Sequence, residues 1–384
     1  MGLLAPPALA EVRPDQQWYL DAMNASGLWK VSKGKGVTVA VIDSGVKPTP
    51  GLTGRLLDGK SFTTADADVH EDETGHGTEM AALIAGSGAG NTLRGLAPEA
   101  KILPLRTHVT PGLFRSHDTL IKAIRYAARS DAKIINISQG LSGVSNETAD
   151  ELQDAVDEAN KRGKLIFAAA GNDGRRVKNN DFPAVLPGVV PVGAVDETGT
   201  VADFSNYGHH LVLSAPGVPG GTSQASAVAS ASAALIWAEH PDWTNHQVLR
   251  VMVETTGMSQ RGEEPSMYLG HGIVRPAQVL VDGDGDPGPA DVSPIFSKYY
   301  ASLEASKSPS PEDGEADGKN EGPPTAKPGK AQEQDDEQVA AQEETGGSGP
   351  PWTAIGIGAA VLVAVAAVVT AMAFRRRTPA QPRY

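Results

Sequence analysis

The sequence predicts an α/β fold: a doubly wound, mostly parallel sheet with helices on both faces. Short apolar runs rich in β-branched residues alternate with amphipathic stretches between residues 11 and 282. Strands that are apolar on both faces are typical of a parallel sheet covered by helices on both sides. Apolar residues make up 40% of the chain, enough for a large core. There are no cysteines, which excludes disulfides, thiolate metal sites and a cysteine nucleophile.

The predicted elements follow one another in strand–helix order. The predicted strands are Val37–Ile42, Ile102–Leu105, Ile134–Ile137, Leu165–Ala170, Val189–Val195 and Leu211–Leu213. The predicted helices are a stretch after His76, then His117–Arg129, Ala149–Lys161, Gln224–His240 and Asn245–Thr255. In sheets of this kind, functional side chains lie at the carboxyl ends of the strands.

The acidic charge is concentrated in one part of the chain. The net charge is −13, which argues against a nucleic-acid partner. Residues 302–351 contain 12 acidic residues and 4 lysines, and therefore carry −8 of this charge. Residues 283–351 are rich in Pro, Gly and acidic side chains and poor in large apolar ones, so we expect a disordered acidic linker. Residues 292–303, which include aromatic side chains, are a candidate for local order within it.

The C-terminal part of the sequence predicts a single membrane span. Ala354–Phe374 is an uncharged, mostly apolar run of 21 residues, and three arginines, 375–377, follow it. At about 1.5 Å per residue, such a helix crosses a hydrocarbon core of roughly 30 Å. We therefore expect a transmembrane helix over residues 352–374, a basic cytoplasmic tail over 375–384, and the preceding domain outside the cell membrane. The length, the arginines and the terminal position disfavour a buried core helix.

The first ten residues are interpreted as the remnant of a signal peptide. Ala8, Leu9 and Ala10 fit the A-x-A pattern of a cleavage site, although a basic region is missing. The globular domain is therefore expected to comprise residues 11–282.

Four polar residues stand at the predicted ends of buried elements. Asp43 follows an apolar strand, His76 lies between two glycines at a helix start, and Ser223 opens a long helix of small residues. A serine hydroxyl becomes a nucleophile when an imidazole takes its proton and a carboxylate orients that imidazole. Asn172, in a glycine turn after a strand, can donate a hydrogen bond to a developing oxyanion. Each residue alone has a plainer interpretation as a cap or turn residue; the set, in this order, favours catalysis.

The order Asp, His, Asn, Ser and the local sequences around these residues resemble the subtilisin-like serine proteases, over roughly residues 29–240. The resemblance implies that Asp43 orients the base, His76 is the general base and acid, Ser223 is the nucleophile and Asn172 lines the oxyanion hole. It also implies a polypeptide substrate, whose backbone pairs with the strand that contains Ser138, Gln139 and Gly140, and places Gly171 near the wall of the specificity pocket. These four are the predicted substrate-binding residues. No cofactor and no metal are expected.

Three positions depart from the family pattern: Ala227 stands where proline is usual, Glu79 where histidine or a small apolar residue is usual, and Gln139 where leucine is usual. They leave the four catalytic positions intact. We expect them to alter specificity.

The architecture is most similar to the mycosins, the membrane-anchored proteases of type VII secretion systems. The stretch from Asp15 to Leu20, Trp29, the acidic linker and the single C-terminal span carry this resemblance. It implies a partner in a secretion machinery. An alternative function stays open at this stage: a membrane-anchored scaffold of a secretion complex, in which the protease site is secondary or idle. An esterase of the α/β-hydrolase type is disfavoured, because it would have a G-x-S-x-G elbow and the order Ser, acid, His.

Overall fold

The structure is a computed structural model that describes residues 18–63, 67–108, 117–141, 143–175, 181–217, 219–257 and 265–305. The predicted signal remnant (1–10), membrane span (352–374) and basic tail (375–384) lie outside these residues. Among the helices that the structure does describe, none is both long enough and apolar enough to cross a membrane.

A seven-stranded sheet forms the centre of the domain, with the strand order β2-β3-β1-β4-β5-β6-β7. All six pairs of neighbouring strands run parallel. The strands are β1 (Thr38–Asp43), β2 (Lys60–Ser61), β3 (Lys101–Arg106), β4 (Ile134–Ile137), β5 (Leu165–Ala169), β6 (Val189–Val195) and β7 (Leu213–Pro216). The predicted doubly wound parallel sheet is therefore confirmed.

Helices cover both faces of this sheet. The described helices are α1 (Trp18–Ala22), α2 (Ala25–Leu28), α3 (His76–Ala85), α4 (His117–Arg129), α5 (Asn146–Lys161), α6 (Thr222–Glu239), α7 (Asn245–Glu254), α8 (Pro276–Leu280) and α9 (Ser297–Ala305). One apolar cluster joins α3, α6 and α7 to one face, and a second joins α4 and α5 to the other.

The differences between predicted and observed elements lie at their ends and in the short elements. The strand predicted at Leu211–Leu213 is shifted to Leu213–Pro216, and the two-residue strand β2 was not predicted. α5 begins at Asn146 rather than Ala149, because the Ser145 hydroxyl accepts a hydrogen bond from the Thr148 N–H and so caps an earlier first turn.

Helix α6 runs through the interior of the domain. Its residues from Thr222 to Trp237 are all buried, and most are alanine or serine. Small side chains allow a helix to lie close to the sheet. The hydroxyls of Ser226 and Ser230 donate to Oδ1 of Asn136 on β4, at 2.8 and 3.2 Å. These hydrogen bonds satisfy polar groups that would otherwise be buried without partners.

Residues 283–305, which the sequence assigned to the start of a disordered linker, are folded against the domain. Backbone carbonyls of Pro287 and Val292 accept hydrogen bonds from Arg250 on α7, at 3.1 and 2.6 Å. α9 follows, and its Tyr299 hydroxyl donates to Asp157 on α5, at 2.9 Å. The domain boundary predicted at Asp282 was thus too early, because these contacts depend on side chains distant in sequence. The local order predicted for residues 292–303 agrees with α9.

Replacement of Phe167 by alanine tests the role of the sheet in stability. Phe167 lies in β5 and is fully buried, so we expect Phe167→Ala to lower the free energy of unfolding by about 3–5 kcal/mol. Val31→Ala is the control, since Val31 is 44% exposed and should change the same quantity by less than about 0.5 kcal/mol. Denaturant titration measures both. Equal effects would show that the sheet is not the centre of the core.

Candidate active site

Asp43 is the last residue of β1, at the carboxyl edge of the sheet. β1 pairs with β3 on one side and with β4 on the other, so the strand order reverses here. The carboxylate is buried, and its Oδ1 accepts hydrogen bonds from the Ser44 N–H at 2.7 Å and the Ser44 hydroxyl at 3.1 Å. Its Oδ2 is buried and has no hydrogen-bond partner among the residues that the structure describes. These contacts place a carboxylate at the crevice where sheets of this kind bind ligands.

His76 is the first residue of α3, and its ring contacts this carboxylate. Nδ1 lies 2.8 Å from Asp43 Oδ1 and, because an ionised carboxylate only accepts hydrogen bonds, Nδ1 is the donor. Gly77 makes the contact possible: a Cβ there would lie 2.1 Å from the Gly45 carbonyl oxygen. With Nδ1 engaged, Nε2 is the ring nitrogen available to the cleft.

The protonation of His76 reflects two opposed effects. Burial of the ring lowers its pKa, whereas the charge and the hydrogen bond of Asp43 raise it. The charges of Glu79 and Asp72 also raise it. The net result is a pKa above the usual value for histidine. The site therefore stabilises the imidazolium that would form when His76 takes a proton.

A second buried carboxylate, Asp72, anchors the start of α3. Its Oδ1 accepts hydrogen bonds from the Ser44 hydroxyl at 2.8 Å and the Gly75 N–H at 2.9 Å, and its Oδ2 accepts from the N–H and hydroxyl of Thr78, at 2.9 and 2.6 Å. Burial raises the pKa of Asp72, but these hydrogen bonds outweigh burial and hold the pKa below its usual value. The ionised Asp72 thus fixes His76 against the end of β1.

Ser223 is the second residue of α6, so its backbone N–H has no helical partner. Its hydroxyl donates to the Ser138 carbonyl oxygen at 3.4 Å. Within the described residues, no hydrogen bond joins this hydroxyl to His76, although both side chains line one cavity. Such contacts are often long without substrate and shorten in the reacting complex.

Asn172 is oriented by the residue before the serine. Its Oδ1 accepts hydrogen bonds from the N–H and the hydroxyl of Thr222, at 2.8 and 2.9 Å. Because the amide oxygen is engaged, Nδ2 is left to donate. The Asn172 amide and the Ser223 N–H, at the positive end of α6, form a pair of donors suited to an oxyanion.

The turn that carries Asn172 is held from behind by Asn206. Asn206 is buried; its Oδ1 accepts from the Asp173 N–H at 3.0 Å, and its Nδ2 donates to the Ala170 carbonyl at 3.2 Å. The Asn206 side chain therefore links the backbone before the Gly171–Asn172 turn to the backbone after it.

The cavity at this edge has a volume of about 380 Å³. His76, Asn172 and Ser223 line it. So do all four predicted substrate-binding residues, which are Ser138, Gln139, Gly140 and Gly171. The Gln139 side chain, expected beside an apolar pocket, is buried, and its Oε1 accepts a hydrogen bond from the Thr107 hydroxyl at 3.0 Å. This contact satisfies its polar group.

An ion pair stands in the wall of the same cavity. Arg175 contacts Asp181 through two hydrogen bonds, at 2.7 and 2.8 Å, and approaches Asp173 at 3.3 Å. These residues carry no sequence pattern that points to the site. They lie on a loop, and no strand or helix pattern indicates which cavity a loop side chain lines.

The structure brings all eight predicted site residues together: seven line the cavity, and Asp43 is buried behind the His76 ring. Sequence reasoning missed three residues that position them, namely Asp72, Asn206 and Thr222. Thr222 stood beside a predicted nucleophile and could have been noticed. The partners of Asp72 and Asn206 depend on how loops fold, which residue spacing does not reveal.

An aspartate that ends a central strand, a histidine that opens a helix and a serine at the start of another, in this chain order, define the subtilase class. The chain belongs to the subtilase family, whose family model matches residues 34–272. A thermostable alkaline protease of Halalkalibacterium halodurans is 35% identical over 254 residues, which cover 63% of this chain and 66% of that protein. Subtilisin E of Bacillus subtilis is 35% identical over 257 residues, which cover 63% and 65%. The chain thus matches just under two thirds of the length of these relatives.

Solved structures of mycosin proteases are also similar, as the sequence predicted. MycP1 from Mycobacterium smegmatis has a TM-score of 0.63 at 27% identity, covering 75% of this chain and 89% of that one. MycP3 from the type VII (ESX-3) secretion system has a TM-score of 0.60 at 30% identity, covering 68% and 87%. A further MycP1, described as an essential component of the type VII (ESX-1) secretion system, has a TM-score of 0.60 at 29% identity, covering 72% and 90%.

Gly221→Ala tests the oxyanion-hole geometry. Gly221 has a φ of 88°, and a Cβ there would lie 2.6 Å from Asn172 Nδ2, so the substitution should displace the amide. We expect the rate of serine labelling by a fluorophosphonate to fall about 10²–10³-fold, a range that comes from the corresponding asparagine of subtilisin, a member of this family.

Gly163→Ala is the matched control. Gly163 also has a positive φ, 74°, but among the described residues, its chain neighbours aside, no atom lies within 4 Å of its Cβ position. It should lose stability through backbone strain and keep its labelling rate. Equal labelling rates for Gly221→Ala and the parent would contradict the assignment of Asn172.

Proposed function

We propose that this protein is a serine endopeptidase that hydrolyses peptide bonds through an acyl-enzyme on Ser223. The observation that carries the proposal is the 2.8 Å contact of His76 Nδ1 with the buried Asp43 carboxylate, beside a cavity that Ser223 and Asn172 share. The curated proteases at 35% identity support the same reaction class.

The acylation step follows from these groups. Ser223 Oγ attacks the carbonyl carbon of the scissile bond, and its proton passes to His76 Nε2. The carbonyl oxygen becomes an oxyanion, which accepts hydrogen bonds from Asn172 Nδ2 and the Ser223 N–H. Asp43 stabilises the imidazolium. When the intermediate collapses, the C–N bond breaks, and His76 gives its proton to the leaving amine.

The second half of the reaction uses the same residues. A water molecule loses a proton to His76 and attacks the ester carbonyl carbon, and the resulting intermediate releases Ser223, which recovers its proton. Every proton and electron pair is accounted for by the substrate, water and these side chains. The proposed reaction requires no cofactor.

The polypeptide substrate is proposed to bind along Ser138–Gly140, the segment that directly continues β4. An extended peptide can add to such a segment through main-chain hydrogen bonds. Gly171 lines the same cavity; a Cβ there would lie 2.3 Å from Asn206 Nδ2, so the glycine lets Asn206 pack behind this turn, while the cavity leaves room for a substrate residue. The Arg175–Asp181 pair in the same wall places charge next to that room.

The proposed nucleophile is tested by a fluorophosphonate probe. We expect the parent chain to form one adduct, on Ser223, and Ser223→Ala and His76→Ala to form none, while all three unfold at similar temperatures. Mass spectrometry of the digested protein locates the adduct. Failure of the folded parent chain to react would contradict the proposed activity.

We further propose that the protease domain is anchored outside the cell membrane by residues 352–374 and acts with a type VII secretion complex. The mycosin structures and the apolar run that precedes three arginines support this proposal. A second candidate function is that of a scaffold of such a complex. One of the similar proteins, a MycP1, is described as a serine protease and as an essential component of its secretion system, and the second part of this description is compatible with a scaffold role.

Ser223→Ala in the native host separates the two roles. If proteolysis is the function, we expect the secretion complex to assemble in the membrane fraction while processing of its substrate protein stops. Native gel electrophoresis of membranes and mass spectrometry of the secreted proteins provide the two measurements. If secretion and processing were unchanged, while deletion of the whole gene abolished assembly, the scaffold would be the function.

A further inference from the structure

A side-chain contact joins the helices of the proposed base and nucleophile, and the mechanism above does not use it. Gln224 Nε2 on α6 donates a hydrogen bond to Glu79 Oε1 on α3, at 2.5 Å. At the other end of the amide, Gln224 Oε1 accepts from the Gly220 N–H at 2.9 Å. The Gln224 side chain is buried and engaged at both ends, so it is held in one orientation.

Both partners lie beside proposed catalytic residues. Glu79 is three residues after His76 on α3, a spacing that places two side chains on the same helix face. Gln224 directly follows Ser223 on α6. Within the described residues, this is the one side-chain hydrogen bond between α3 and α6; apolar residues of both helices also share one core cluster.

We propose that Glu79 and Gln224 are positioning residues of the active site: their hydrogen bond fixes the separation of His76 from Ser223, and Glu79 supplies a second carboxylate beside the imidazolium. The inference rests on the proposed endopeptidase function, because it concerns the same base and nucleophile.

The first part of the role is geometric. Apolar contacts between alanine-rich helices have little direction, so the two helices can shift along each other at small cost. A hydrogen bond to a charged group has a defined length and angle and is stronger than one between neutral groups. The bond through Gln224 also reaches the Gly220 N–H, which precedes the nucleophile. The distance over which a proton must pass from Ser223 to His76 is thereby constrained.

The second part of the role is electrostatic. Glu79 is half-buried and forms no ion pair within the described residues. Its carboxylate raises the pKa of His76, in the same direction as Asp43 and Asp72. Among the described residues, Tyr19 of α1 is a further titratable group on which Glu79 acts: burial and Glu79 both raise its pKa, and its hydroxyl donates to the Arg94 carbonyl.

Two substitutions separate these parts. Glu79→Gln removes the charge but keeps an amide oxygen that can accept from Gln224. A carboxylate stabilises imidazolium, so its removal should lower the pKa of His76 and shift the pH midpoint of fluorophosphonate labelling to lower pH, with the plateau rate preserved.

Gln224→Met removes the hydrogen bond but keeps the charge. Its midpoint should stay near that of the parent, while the plateau rate falls about tenfold, because one hydrogen bond to a charged group is lost.

The full chain is used throughout, with Glu99→Gln as the matched control. Glu99 is a half-buried carboxylate in a turn, paired with Lys33, and its replacement changes the net charge by the same amount. It should leave both the midpoint and the plateau unchanged. If Gln224→Met does not fold, Glu79→Met breaks the same bond from α3 and should combine the lower midpoint with the lower plateau.

The His76 imidazole signal, identified in the NMR spectrum by its loss in His76→Ala, provides a readout that does not need activity. A parent chain that never labels would contradict the proposed function, while a lower His76 pKa in Glu79→Gln would still support the role of Glu79. The proposal is overturned if Glu79→Gln and Glu99→Gln titrate alike, or if Gln224→Met labels at the parent's plateau rate.

Discussion

The burial of α6 along most of its length is the constraint on which the rest of the active site depends. A helix of alanine and serine can approach the sheet closely, but each buried hydroxyl needs an acceptor, and an unsatisfied one costs about 1–3 kcal/mol. Asn136 on β4 accepts from Ser226 and Ser230, and its Nδ2 donates to the Ser138 hydroxyl at 2.9 Å. The helix of the proposed nucleophile and the proposed substrate strand are therefore positioned by the same buried amide.

A second consequence of burial appears at the end of β1, where two carboxylates lie near one hydroxyl. Ser44 has a single hydroxyl proton, and its oxygen is nearer to Asp72, at 2.8 Å, than to Asp43, at 3.1 Å. Asp72 also has donors from Gly75 and Thr78, so its charge is well stabilised. Asp43 has fewer donors, and the ring of His76, at 2.8 Å, is one of them. Because of this difference, Asp72 is suited to holding the start of α3 in place, and Asp43 is suited to accepting the hydrogen bond of the His76 ring.

The sequence was sufficient for the parts of this structure that depend on local pattern. Apolar strands such as Ile134–Ile137 predicted the sheet, and Asp43, His76 and Ser223 were recognisable because each ends or begins an element and has glycine nearby. The contacts of Asp72, Asn206 and Gln224 were not accessible, since each joins segments far apart in the chain. Within residues 283–305, local order was expected only for 292–303, and the order before it was missed for a similar reason: the composition is polar, but α7 supplies Arg250 as a donor to the backbone.

The attachment of α9 has a mechanical consequence. The described residues end at Ala305, shortly after Tyr299, whose hydroxyl donates to Asp157 on α5, and α5 packs on the face of the sheet opposite to α3 and α6. Tension applied to the chain beyond Ala305 would load α9 and its contact with α5 first. The force would reach the helices that carry His76 and Ser223 only after α9 had detached. Tension on the chain beyond Ala305 would therefore not change the separation of the two catalytic side chains while α9 stays bound.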